Sequence, residues 1–114
     1  MSDTERTDVL RGTLDMLVLK TLDTLGPQHG YAIAARLEQI SRGALQLNMG
    51  TLYPALVRLE QRGLIRATWK TTENNRRAHF YELTAAGQKQ LEIERAGWER
   101  MAGIMQRLLN NDAV

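Results

Sequence analysis

The sequence predicts a mainly α-helical fold that carries one small β-hairpin. Three observations lead there. Apolar residues recur at three- and four-residue spacing through most of the chain, with glycine and proline marking the breaks. Near the middle, "LIRATWK" and "RRAHFYELT" alternate around the polar turn "TTENN", the pattern of two paired strands. The last third reads as one uninterrupted helix.

The elements follow in order. From Leu10 the apolar residues fall at Leu10, Leu14, Leu17, Val18, Leu22 and Leu25, a first helix. Met16 and Leu19 lie off this stripe, so the helix needs a second burying surface. "GPQHG" breaks the chain, and His29 falls at the start of a second helix, "YAIAARLEQIS". Ile33, Leu37 and Ile40 form its inner stripe, and Gly43 is placed to end it. "ALQL" alternates and reads as a very short strand. A third helix keeps Leu52, Leu56 and Leu59 on one face and closes at Gly63. Asn48 and Thr51 are both good N-caps for it. Thr51 is preferred, because Pro54 then falls in the first turn, where its missing N–H removes no helical bond.

In the hairpin, Ile65, Ala67 and Trp69 share one side; Arg66, Thr68 and Lys70 share the other. Thr84 caps the final helix, "AAGQKQLEIERAGWERMAGIMQRLL". Leu91, Trp98 and Met105 recur every seven residues, and so do Glu94, Met101 and Leu108, an a/d heptad with one acidic interruption. An apolar stripe lying beyond the compact part of a domain needs a partner, most simply a second copy of the chain. The first eight residues and the last four read as frayed.

The chain has 114 residues, enough for one core. It has no cysteine, which excludes a disulfide frame, a thiolate metal site and a thiol nucleophile, and suits a reducing cytoplasm. The polar start "MSDTERTD" is no signal peptide, and no apolar run approaches the ~20 residues that cross a bilayer. His29 and His79 are the only histidines and have no metal-ligand spacing. With no phosphate loop and no nucleophile–base pair, neither an enzyme nor a cofactor is expected. The net charge of +2 is unevenly spread. Residues 48–80 hold Arg58, Arg62, Arg66, Lys70, Arg76 and Arg77 against only Glu60 and Glu73, while both flanks are slightly acidic. Such a basic segment is a footprint of polyanion binding.

Helix, helix, short strand, helix, hairpin and long helix make the order of a winged helix-turn-helix, with residues 1–83 as the DNA-binding domain and 84–114 as a C-terminal dimerisation helix. The third helix is then the one presented to double-stranded DNA. Gly50 lets its backbone come close, Thr51, Pro54 and Arg58 face outward, Tyr53 lies at one flank, and Asn48 is a further candidate for DNA contact. Lys70, Arg76 and Arg77 flank the hairpin turn, where they suit phosphate or minor-groove contact.

"GTLYPALVRLEQRGLI", together with "HGYAIAARLE", "RRAHFYELTAAGQKQL" and the Leu-rich first helix, closely resembles the PadR family of bacterial transcriptional regulators, in its compact subfamily with a single C-terminal helix. The resemblance covers Leu10 to Leu108. It implies a cytoplasmic homodimer, joined here through the C-terminal helix and the extra apolar face of the first. It also implies repression of the regulator's own gene or of a neighbouring operon, and a position for Tyr53 near the DNA backbone. In some compact members the tryptophan matching Trp98 stacks planar aromatic ligands. The resemblance therefore raises a planar aromatic effector held by Trp98 and Met101, with Met16 as a wall. The plainer role for Trp98 is a dimer-core anchor. A winged helix that binds protein and not DNA is the alternative function, and the basic segment weighs against it.

Overall fold

The computed structural model describes residues 3–110, with side chains from Thr13 onward. Four helices and a three-stranded antiparallel sheet share one core. The helices are α1 (Asp3–Leu25), α2 (Gly30–Ile40), α3 (Met49–Gln61) and α4 (Ala85–Leu109), and the strands are β1 (Gln28–His29), β2 (Ile65–Thr71) and β3 (Arg77–Leu83). The sheet order is β1-β3-β2. The helix assigned to α1 begins at Asp3, so the fraying expected of the first eight residues does not match it. The side chain of Leu10 and residues 111–114 lie outside the described part.

α1 is the central post. Leu14, Val18, Leu19 and Leu22 are buried on it, against Ile33 and Leu37 of α2, the inner face of α3, and Tyr81 of β3. Leu19, read as lying off the stripe, is fully buried within the single chain, because helices and sheet surround α1 on several sides. Much of the extra apolar face expected to join two subunits is thus consumed inside one. Ile40 also departs from expectation. It ends α2 beyond the core and stands exposed.

The short strand is not "ALQL", which has no paired neighbour. Gln28 and His29 take that place, opposite Tyr81 and Phe80 on β3. β2 and β3 pair from Ile65↔Leu83 at the base to Thr71↔Arg77 at the tip. The tip is closed by Thr72 N–H donating to the Arg76 carbonyl at 2.7 Å, with Asn75 in the left-handed region at φ 62°.

Two junctions set the angles between elements. At the end of α3, Gly63 has φ 74°, and the Leu64 N–H reaches back to the Leu59 carbonyl at 3.0 Å while the Gly63 N–H reaches Glu60 at 2.9 Å. This is a Schellman cap, and Leu59 and Leu64 are both buried beside it. At the start of α4, Thr84 accepts from the Gly87 N–H at 3.0 Å and donates its hydroxyl proton to the Gly63 carbonyl at 2.7 Å. The Thr84 N–H donates to the Leu64 carbonyl at 3.1 Å. Gly87 is buried so tightly that a Cβ there would run into the Leu64 carbonyl and come within 2.7 Å of Leu83 Cδ1. α4 is therefore seated on the turn that ends α3. No helix among the described residues is long and apolar enough to cross a membrane.

Candidate nucleic-acid interface

α3 is built with two unlike faces. Leu52, Ala55, Leu56 and Leu59 are buried, while Gly50, Thr51, Tyr53 and Pro54 are exposed together around its first turns. Its N-cap is Asn48, not Thr51. Asn48 has extended backbone at φ −89°, ψ 169°, and its Oδ1 accepts from the Thr51 N–H at 2.9 Å. Thr51 is then the third helical residue, so its hydroxyl is left to face solvent. Pro54 consequently lies inside the helix and withholds the N–H that the Gly50 carbonyl would accept. The opening turns combine backbone N–H groups without helical acceptors, a small Gly50 and an exposed Thr51, which gives close access to a polyanion.

Arg58, expected to face outward, turns toward α1. Its Nη2 donates to Asp15 Oδ1 at 2.8 Å, and the two side chains are 37% and 11% exposed. The carboxylate on α1 holds the guanidinium against the body of the protein. Asp15 was not singled out in the sequence, although its place between Leu14 and the Val18–Leu19 pair puts it on the buried arc of α1.

The wing rises beside α3. Among the described residues no carboxylate pairs with Lys70, Arg76 or Arg77, whereas Arg66 is engaged by Glu82 at 2.8 Å. The Lys70 ammonium lies 5.6 Å from the Phe80 ring, and the Arg77 guanidinium lies 5.2 Å from Trp69. Burial pushes the Tyr81 phenol up from its ordinary value of 10.0, and neighbouring Tyr53 and Glu60 add to the rise. Tyr53 stands half exposed on α3. Asn48, Thr51 and Tyr53 thus cluster at the start of α3, with Lys70, Arg76 and Arg77 around the wing tip. Arg58 is the one predicted residue drawn aside.

Within a single chain, the three residues suggested for an effector are not gathered in one place. Trp98 and Met101, with Ala102, Met105, Gln106 and Leu109, line a shallow apolar groove of about 340 Å³ on α4. Met16 is half-buried against the core of α1 and does not line it. Beyond Leu91, Trp98, Met101, Ile104, Met105 and Leu108 stand exposed along the helix. One turn before Trp98, Glu94 accepts from Gln90 at 3.3 Å through Oε1, while its buried Oε2 has no hydrogen-bond partner.

A core of α1, α2 and α3, a hairpin beside the third helix and a long terminal helix define a winged helix-turn-helix regulator. Comparison with known proteins places it further. Residues 18–93 match the model of the transcriptional regulator PadR-like family. A regulator from Clostridium thermocellum superposes with a TM-score of 0.78 at 27% identity, covering 94% of this chain and 96% of that one. PadR family regulators from Eggerthella lenta and Clostridium difficile are each 30% identical, with TM-scores of 0.77 and 0.74. They cover 93% and 84% of this chain, and 89% and 97% of their own. An uncharacterized 37.1 kDa protein of a Streptomyces fradiae transposon is 43% identical over 88 residues, and the chain spans 24% of its length. This chain belongs to the PadR-like family of transcriptional regulators.

Proposed function

We propose that the protein is a non-catalytic transcriptional repressor that binds a pseudo-palindromic operator as a homodimer. The observation that carries this reading is the pairing of an exposed, anion-accessible α3 N-terminus with wing cations that no carboxylate among the described residues neutralises. Residues 1–83 act as the reading head and 84–114 as the dimerisation helix. Two α3 helices enter successive major grooves about 34 Å apart, and Lys70, Arg76 and Arg77 hold phosphates beside them. Asn48, Thr51 and Tyr53 meet the backbone and groove edge. The apolar stripe of α4, which leaves one chain unsatisfied, forms the subunit contact. Selection from a pool of random duplexes tests the reading. Enrichment of an inverted repeat with half-sites one helical turn apart is expected, and an asymmetric site or no enrichment would overturn it.

The groove at Trp98 supports an effector within the same reading. A planar aromatic molecule stacking there would alter the angle between the two heads and release DNA. In a Trp69→Phe protein, Trp98 is the only tryptophan, so saturable fluorescence quenching by a planar aromatic cation is the expected signal. Absence of quenching together with a much lower melting temperature for Trp98→Ala would make Trp98 a structural anchor.

A further inference from the structure

The wing carries an aromatic cluster that its cations do not explain. In the β2–β3 register, Ala67 opposes Tyr81, Trp69 opposes His79, and Thr71 opposes Arg77. Alternation places all six side chains on one face of the hairpin. At its base that face is core, since Tyr81 is buried. Further out it leaves the core, and Trp69 stands 57% exposed. The indole is nonetheless held. The His79 ring lies 3.9 Å from it, centroid to centroid, at a 43° tilt, and the Arg77 guanidinium lies 5.2 Å away. His79 in turn meets the edge of Tyr81 at 6.1 Å. An aromatic row thus runs from the buried Tyr81 at the base of the hairpin to the exposed Trp69 beside the cationic wing tip. The opposite face is occupied differently: His29 packs edge-on against Phe80 at 5.4 Å, and Glu82 neutralises Arg66.

We propose that Trp69 is a specificity-determining residue that reads the minor groove beside each half-site. This rests on the DNA-binding reading above. An indole fixed by two neighbours loses little conformational freedom on binding, so it suits an interface better than a mobile side chain would. Its occupant is the sugar wall of the groove, an apolar surface bordered by phosphates. Charge complementarity selects that occupant, because Arg77 sits on the same face, with Arg76 next to it at the turn and Lys70 on the other face of the same wing. The indole packs along the deoxyribose edge, facing the groove floor, while the Arg77 guanidinium stays on the bordering phosphate. Guanine places its 2-amino group on that floor, where adenine has none. A narrow, unobstructed A·T groove also concentrates the negative potential that attracts arginine. Trp69 and Arg77 together should therefore favour A·T-rich sequence at positions that α3 never touches.

Inosine isolates this effect, because it removes the 2-amino group and leaves the major-groove edge unchanged. The experiment uses the full chain labelled with 5-fluorotryptophan. The probes are two duplexes three helical turns long, one of mixed sequence and one with inosine replacing every guanine. Fluorescence anisotropy reads affinity and fluorine NMR reads the indoles. The Trp69 signal is identified as the one missing from Trp69→Phe, and the Trp98 signal serves as internal reference. The expected result is several-fold tighter binding to the inosine duplex, a Trp69 resonance that moves on saturation with DNA, and loss of the inosine preference in Trp69→Ala. A Trp69 resonance that stays at its free position while DNA saturates the protein would overturn the proposal. So would an inosine preference that survives Trp69→Ala, whatever that variant does to hairpin stability. If neither duplex binds, the DNA-binding reading itself fails.

Discussion

At the scale of single residues, the interface depends on which side chains are already engaged. Asp15 is nearly buried, and Arg58 is its only partner among the described residues. Removing Arg58 would leave a carboxylate facing the core without a charged hydrogen-bond donor, which costs about 1–3 kcal/mol. Arg58→Ala should therefore lower the urea midpoint by a corresponding amount while changing DNA affinity little. A large affinity loss with unchanged stability would return Arg58 to the reading surface. Tyr81 has a different consequence. Its phenol is held above 10.0, chiefly by burial and further by Tyr53 and Glu60. Below that pH both folded and unfolded chains carry it neutral. Above it the unfolded chain ionises first, so stability falls as pH rises from 10 toward the folded value. Urea unfolding followed from pH 8 to 11 should show that loss, and Tyr81→Phe should show a shallower one.

At the scale of elements, much was legible and the failures have physical causes. The bounds of α4 were readable because Thr84 is a clear cap and the apolar period is long. Both hairpin strands were readable from alternation. β1 was not, since two residues carry no periodicity and Gln28–His29 become a strand only because β3 offers an edge. The cap of α3 was misplaced by favouring the position that spared Pro54 a lost bond. Asn48, extended and bonded to the Thr51 N–H, outweighs that single bond. The role of Gly87 was hidden, because its neighbour is a backbone carbonyl from a turn 23 residues earlier. The outer half of α4 gives the clearest element-scale test. Met101 and Leu108 are exposed in the single chain, so changing both to aspartate leaves the core untouched. If the stripe joins two subunits, the double variant should sediment as a folded monomer, because each aspartate would bury a charge in the seam. A variant that remains dimeric would place the subunit contact elsewhere.

At the scale of the whole molecule, the Thr84–Gly63–Leu64 hydrogen bonds join the start of α4 to the turn that ends α3. If α4 moves in a dimer, these bonds would carry the movement to the end of α3. In a dimer built on α4, the spacing of the two heads would follow directly from the crossing of the two terminal helices, so a ligand at the seam could control binding without touching DNA. Everything in this arrangement presupposes that the surface around the α3 start and the wing meets a polyanion. The salt dependence of DNA affinity tests that most directly. For the intact chain, the logarithm of the binding constant should fall steeply and linearly with the logarithm of salt, by about 0.9 per phosphate held. Arg77→Ala should reduce that slope by about one unit. An affinity indifferent to salt, or a slope that Arg77→Ala leaves unchanged, would contradict the account and favour a winged helix that binds protein.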